Sequence, residues 1–513
     1  MTQPRWQVAS GHIETTRAAA EILCDGGNAF DALIAAAWTA CVAEPIFCSP
    51  GGGAHALLRP VGQAPTILDG FTQTPQRKRN DKVDFYPIYG NFGTDTQEFH
   101  VGLGAAAVPG MVASTAAMQQ RYASLPMRRL TEPAVRLART GVVLNRTQSD
   151  ALKILEPIVR SNSESARIFG LDSRKAALPE CGDRITNADL GNFIDCIAAQ
   201  GAESFYQGET AALIASLSDR LGGHIRQQDL SDYRVHIRQP MQWTLSTWRL
   251  WSNPPPAFGG LMVGLMTQSL ERRLPRSATF GSDAHLDALL VAMRDSETDR
   301  KRLEQPECLR SDTLLMQTYN KLIERALIAR KGTTHISIRD TAGNLAAMTL
   351  SNGEGCGVVV PGCGFMLNNM LGEADLNRLG FHHWPENRRM ASMMAPTLLS
   401  QSSNGVEQTI LLGSGGANRI RTAIAQVICN IQHFNMTLEQ AIHAPRSHLE
   451  EGRLSIELDP DAWPQTTAEW LDQQVFDTIR WPQRSLYFGG VNAVSNDHAA
   501  SDQRRDGFAC SSA

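Results

Sequence analysis

The chain has 513 residues, 42% of them hydrophobic and 19% charged, with 48 basic side chains against 52 acidic ones and a formal net charge of −4. That composition excludes a disordered polyelectrolyte and leaves no basic stripe for a nucleic acid or an anionic membrane surface; the length suits one large or two to three smaller domains. No run approaches the roughly eighteen apolar residues of a membrane span, and the opening "MTQPRWQVASGHIETT" lacks the apolar stretch of a secretion signal, so a cytoplasmic protein is expected.

The first elements read as two helices. "IETTRAAAEILCDGG" closes on Gly26-Gly27, a C-cap signal. "NAFDALIAAAWTACVAEP" opens on Asn28 as N-cap, stops at Pro45, and is apolar on nearly every face, which is the pattern of a helix buried all round. "SPGGGAHALL" follows, with Gly51–Gly53 set for close backbone approach, and then a strand in "APTILDGF". The stretch 110–240 is helix-rich, in "GMVASTAAMQQRYA", "TEPAVRLARTG" and "ETAALIASLSDRLGG". Short strands in "QWTLSTWRLWSN" lead to Pro254-Pro255-Pro256, then to helical patterns in "GLMVGLMTQSLERRL" and in residues 311–332, the latter with basic residues at its C-terminal end.

At Thr333 the period changes. "THISIRD" puts Thr334, Ile336 and Ile338 on one face, and "NLAAMTLS" returns after a Thr341-Ala342-Gly343 turn. "GVVV" reads as strand, "NNMLGEADLN" as loop, "TILLGS" as strand, and a helix is expected from about Arg419 to Ile431. Helices and strands come in blocks, which favours layered sheets covered by helices over a doubly wound parallel fold.

The ten cysteines form no Cys-x-x-Cys pair and have no histidines at zinc-site spacing, so buried free thiols in a reducing compartment are expected. Neither a G-x-G-x-x-G fingerprint nor a Walker lysine is present, and neither a metal nor an organic cofactor is expected. Gly332-Thr333-Thr334 by itself is compatible with an ordinary loop-to-strand junction.

Taken together, "GGNAFDALIAAA" with "EP" and "GGG" after it, "AVPGMVAS", "NPPPAFGG", "GTTHISIRDTAGNLAAMT", "GVVVPGCGFMLNN", "RRMASMMAPTL", "LGSGGANRIRTAIAQV", "HAPRSH" and "FGGVNAV" resemble the γ-glutamyltransferase (γ-glutamyltranspeptidase) family of N-terminal-nucleophile hydrolases, nearly end to end. The resemblance implies an α+β fold, a four-layer αββα sandwich made as one chain and cut by itself between Gly332 and Thr333. Residues 1–332 and 333–513 would then form an intertwined heterodimer acting on a small-molecule amide. It also implies roles. Thr333 would be both processing and catalytic nucleophile. Ser351 would support its hydroxyl, with a polar strand end as the rival reading. Gly416 and Ala417 would supply oxyanion amides, with a phosphate-binding loop as the rival reading. Asn352 would lie near a substrate-binding asparagine, in a loop two residues shorter than usual.

The specificity positions depart from the family. Phe71 stands where an arginine would grip the donor's α-carboxylate, Ala391 replaces one of two serines beside Ser392, Met370 replaces a polar residue, and Glu373 stands in an aspartate's place. Arg419 or the Arg77–Arg79 run could supply another carboxylate contact. The expected activity is hydrolysis or transfer of a γ-glutamyl or similar acyl group. The alternatives are an acylase for another amide and an uncut, inactive binding protein.

Overall fold

The computed structural model describes residues 5–91, 96–171, 177–303, 333–374, 376–377, 380–403, 405–458, 463, 466–473 and 477–512. Gly332 and the helix expected over 311–332 lie outside the described residues. "GVVV" contributes one isolated bridge, Val359 to Met366, rather than a strand.

Two antiparallel sheets carry the fold. The first has seven strands in the order Phe508–Ser511, Gln7–Ser10, Thr334–Arg339, Leu345–Ser351, Gly53–Arg59, Thr66–Gly70 and His236–Arg238. The second has six, in the order Ala499–Ser501, Gly490–Ser495, Val406–Gly415, Thr397–Ser403, Arg249–Ser252 and Met241–Thr244. In the first sheet, strands from before and after Thr333 are interleaved: Gln7–Ser10 lies between Thr334–Arg339 and Phe508–Ser511.

Side-chain alternation sorts the layers. Ile336, Ile338, Met348, Leu350, Ala56 and Leu58 pack outward against the helices Ile13–Cys24 and Ala29–Ala43. Residues of the opposite parity, Ala9, Leu57, Leu345 and Ala347, meet Leu398, Leu411 and Val494 of the second sheet. That sheet's outer face, with Leu250, Leu399 and Leu412, is covered by the helices Gly259–Arg273 and Arg419–Gln432. The order is helix, sheet, sheet, helix.

The helix Ala29–Ala43 is buried along its whole length, as its sequence requires. Asn28 and Asp31 form a capping box there, and such a cap contributes about 1 kcal/mol. Near Thr333 the two sheets are joined by polar contacts. The His335 ring hydrogen-bonds Thr349 Oγ1 at 2.8 Å and Ser337 Oγ at 2.9 Å, and Asn492 Nδ2 donates to the His335 carbonyl at 2.8 Å. A Cβ on Gly413 would fall 2.3 Å from this ring, so only glycine lets the second sheet approach. Among the described residues no helix is long and apolar enough to cross a membrane.

Burial sets a pH dependence. Desolvation lowers the pKa of His12, His55, His224 and His448 to about 4, and those of His285 and His335 to about 3. The unfolded chain takes protons on these rings below about pH 6.5 while the folded chain refuses them, so stability is lost as pH falls from about 6.5, at about 1.4 kcal/mol per pH unit for each ring. Glu44 opposes this, because its raised pKa of about 7 makes the folded chain the better proton binder below that pH, and burial raises the Asp229 carboxyl in the same sense. Calorimetry should show the melting temperature falling from pH 6.5 to 4.5. A flat profile would mean that the rings are charged in the folded protein.

Candidate active site

The pairing of Thr334 with Leu350, continued by one residue, sets Thr333 opposite Ser351, a position at which cross-strand Cβ atoms lie about 5 Å apart. Both side chains are buried and both line a cavity of about 300 Å³. Ser351 Oγ accepts from Gly353 N at 3.2 Å, and the Thr333 carbonyl accepts from Arg505 Nη1 at 3.2 Å.

The strand Val406–Gly415 ends against Thr333: a Cβ on Gly415 would lie 2.0 Å from the Thr333 carbonyl oxygen. The chain then turns through Gly416, at φ 107°, and Ala417, at φ 55°, into the helix Arg419–Gln432. Gly416 also passes so close to Gly489 that a Cβ would fall 2.6 Å from its Cα. Ala417 has no such freedom, and a non-glycine residue in the left-handed region costs about 1 kcal/mol. The Gly416 and Ala417 carbonyls accept from Arg419 N at 3.1 Å and Ile420 N at 2.9 Å, which starts the helix. In a trans peptide the Ala417 N–H points opposite to the Gly416 carbonyl and the Asn418 N–H opposite to the Ala417 carbonyl, at the positive end of the helix. Ala417 lines the cavity.

The rest of the wall is mainly apolar. Phe71, Met370, Leu376, Met393, Met394 and Ile420 line it, with Glu373 and Ser392 as the polar additions to Thr333 and Ser351. Phe71 is fully buried and stacks on His55, with ring centroids 5.4 Å apart. Its carbonyl accepts from Tyr233 Oη at 2.6 Å and from the Arg389 guanidinium, which also lies 3.4 Å from Asp69. Arg389 is therefore held behind Phe71, outside the cavity. The turn Met370–Gly372 presents Met370 and Glu373 to the cavity, and Asn377 Nδ2 fixes the Glu373 carbonyl at 2.8 Å.

The structure thus brings Thr333, Ser351, Ala417, Phe71, Glu373 and Ser392 together around one cavity, with Gly416 in its rim turn. Asn352 is buried beside the cavity and does not line it. Ala391 packs instead against the core under the second sheet. Neither Arg419 nor Arg77–Arg79 reaches the wall. Arg419 Nε donates to the Tyr487 carbonyl at 2.7 Å, and Arg79 pairs with Asp81 at 2.6 Å. No lysine or arginine is among the lining residues, so the expected substitute for the missing carboxylate clamp is not found there. Two residues the sequence did not single out stand close to Thr333: Arg505, and Glu44 within the quoted "EP". Their burial, the only signal of a role, is invisible in sequence. Among the described residues no group of three or more His, Cys, Asp or Glu could hold a metal ion.

An αββα sandwich with a threonine at the head of an inner strand, facing a cavity beside a glycine turn, defines an amidohydrolase of the N-terminal-nucleophile type. Within that class the chain belongs to the gamma-glutamyltranspeptidase family, whose model matches residues 15–512. The glutathione hydrolase proenzyme of Escherichia coli (strain K12) is 27% identical over 480 residues, covering 86% of this chain and 80% of that protein. The acylase ACY 1 proenzyme of Pseudomonas sp. (strain V22) is 28% identical over 520 residues, covering 96% of this chain and 90% of that protein. In fold, the chain matches cephalosporin acylase from Bacillus halodurans with a TM-score of 0.75 at 22% identity, over 99% of this chain and 96% of that one.

The Ser392 hydroxyl is buried, faces the cavity and has no hydrogen-bond partner among the described residues. Removing an unsatisfied buried hydroxyl costs the folded state nothing and can gain up to about 1 kcal/mol. Ser392→Ala should therefore keep or raise the melting temperature while raising KM about tenfold, measured by calorimetry and steady-state kinetics on one substrate. A fall in stability with KM unchanged would make Ser392 a structural residue.

Proposed function

We propose that the protein cuts its own chain between Gly332 and Thr333, and that the freed Thr333 then attacks amides whose acyl group is apolar where a γ-glutamyl donor carries its α-carboxylate. The observation that carries this is the shared cavity: Thr333 and Ser351 face a wall of Phe71, Met370, Met393 and Met394 with no basic side chain.

Once Thr333 heads a chain, its α-amine, ordinarily near pKa 7.7–8.0, accepts the hydroxyl proton at working pH. Ser351, opposite it, supports the hydroxyl. Thr333 Oγ bonds to the acyl carbon, and the developing oxyanion meets the Gly416 and Ala417 amides. The C–N bond breaks, and the amine leaves with the proton held by the terminal ammonium. Water, or an acceptor amine, then releases the acyl group from the threonine ester. Glu373 and Ser392 orient whatever polar group the donor carries. The fragments 1–332 and 333–513 stay together because each supplies strands to the first sheet. A metal has no step in this scheme.

A γ-glutamyl donor is the second reading, favoured by the relative named glutathione hydrolase and by Glu373, whose carboxylate suits an ammonium. Against it, a bidentate arginine clamp on a desolvated carboxylate is worth a few kcal/mol, and Phe71 offers none of that.

Two measurements test this. Intact-mass analysis should show two fragments for the wild type, and Thr333→Ala should stay a single chain of 56.1 kDa. Cutting of that variant at the same bond would remove Thr333 from the processing step. Separately, kcat/KM should be at least tenfold higher for an anilide lacking the α-carboxylate than for the γ-glutamyl anilide, and Phe71→Arg should narrow that ratio. A hundredfold wild-type preference for the γ-glutamyl compound would overturn the apolar-acyl reading.

A further inference from the structure

Thr333 lines two cavities: the substrate cavity, and a polar cavity of about 320 Å³ that Glu44, Thr334 and Arg505 also line. Glu44 caps the C-terminal end of the buried helix Ala29–Ala43. Its carboxylate accepts from Thr334 Oγ1 at 2.8 Å and from Thr15 Oγ1 at 3.4 Å. The close fit is built around a glycine: a Cβ on Gly11 would fall 2.6 Å from Thr334 Oγ1 and 2.7 Å from Glu44 Oε2.

Self-cleavage poses a problem that turnover does not. Before the cut, the Thr333 nitrogen belongs to a peptide bond and cannot accept a proton. The base that serves the mature enzyme does not yet exist. His335, on the same strand, is committed to Thr349 and Ser337, and burial pushes its pKa down to about 3. Glu44 lies one residue from the junction, in the cavity that Thr333 itself lines.

We propose that Glu44 holds the proton for self-cleavage, taking it from the Thr333 hydroxyl through the polar cavity and returning it to the Thr333 nitrogen. This rests on the reading of Thr333 as the processing nucleophile. As the proton moves to the Glu44 carboxylate by way of water, Thr333 Oγ bonds to the Gly332 carbonyl carbon. The C–N bond then breaks, the proton on Glu44 passes to the leaving nitrogen, and an ester with a free α-amine remains. Water hydrolyses that ester and leaves Gly332 with a carboxylate. Arg505, donating to the Thr333 carbonyl, holds the strand end still. Glu44 acts through water and never touches the reacting carbon, so it is a positioning residue.

The electrostatics suit the task. Desolvation raises the Glu44 pKa to about 7, against the lowering effect of the Thr334 hydrogen bond, Arg505 and the Thr15 hydrogen bond. Arg505 is lowered by burial only to about 10, and burial with Cys41 beside it pushes the Cys48 thiol well up.

The test follows the full-length chain, made by cell-free synthesis and stopped at intervals between pH 5.5 and 8.5, with the single chain and its two fragments separated by mass. Wild-type cleavage should accelerate with pH about a midpoint near 7. Glu44→Gln, which keeps the shape and an acceptor for Thr334, should slow cleavage at least a hundredfold and lose that midpoint. Thr334→Val should move the midpoint upward, because it removes a bond that holds the Glu44 pKa down. A flat wild-type profile overturns the proposal whether or not the variants fold, and so does Glu44→Gln cleaving at the wild-type rate. Thr333→Ala, run alongside, separates the two readings. If it stays whole while Glu44→Gln matures normally, only the role of Glu44 fails; if it is cut, the nucleophile itself is wrong.

Discussion

Side chains alternate across a strand, so the pairing of Thr334 with Leu350 decides which of two adjacent threonines enters the cavity between the sheets. Thr334 has the parity of Ile336 and Ile338, whose side chains face the helices, and its hydroxyl meets Glu44 at the end of one of them. Thr333 has the parity of His335, whose ring faces Gly413 on the second sheet. A slip of one residue would exchange the two and would bury a histidine among the helices. The packing of Ile336 and Ile338 against the helices, and of the His335 ring against Gly413, opposes that slip, because each face of the strand is shaped for its own side chains. The position of the candidate nucleophile is therefore set by hydrophobic residues that take no part in its chemistry.

The cavity's character follows from where charge is neutralised around it. Asp69, Tyr233 and the Phe71 carbonyl hold Arg389 behind Phe71, outside the cavity. Phe71 in turn rests on His55, which burial keeps neutral with a pKa of about 4. The layer behind the wall is thus a compensated polar network, and the face toward the substrate is apolar.

In the second cavity that Thr333 lines, charge is retained. Arg505 stays cationic beside Asp502, whose carboxyl resists burial because Arg446 and Arg504 pull its pKa down to about 2. This rigid cluster fixes the turn that carries Arg505 to the Thr333 carbonyl. The strand head accordingly sits between an apolar chamber suited to an acyl group and a polar one suited to moving a proton, with one residue reaching both.

Much of this was legible in sequence. The buried helix of residues 28–45, the change of period at Thr333, the Thr341-Ala342-Gly343 turn and the glycine-rich strand-to-helix junction at 415–417 are local patterns, and local patterns follow from nearest-neighbour sterics and hydrophobic spacing. They led to the layered α+β fold, and the resemblance of nine ordered motifs led to the family. What stayed hidden depends on contacts between residues far apart in the chain. Whether Ala391 or Ser392 would face the cavity, whether any arginine would replace the missing clamp, and whether Glu44 would lie behind Thr333 were all decided by packing. Spacing along a strand says which residues share a face, while the partner across that face, the water it excludes and the pKa that results exist only once the sheets have closed on each other.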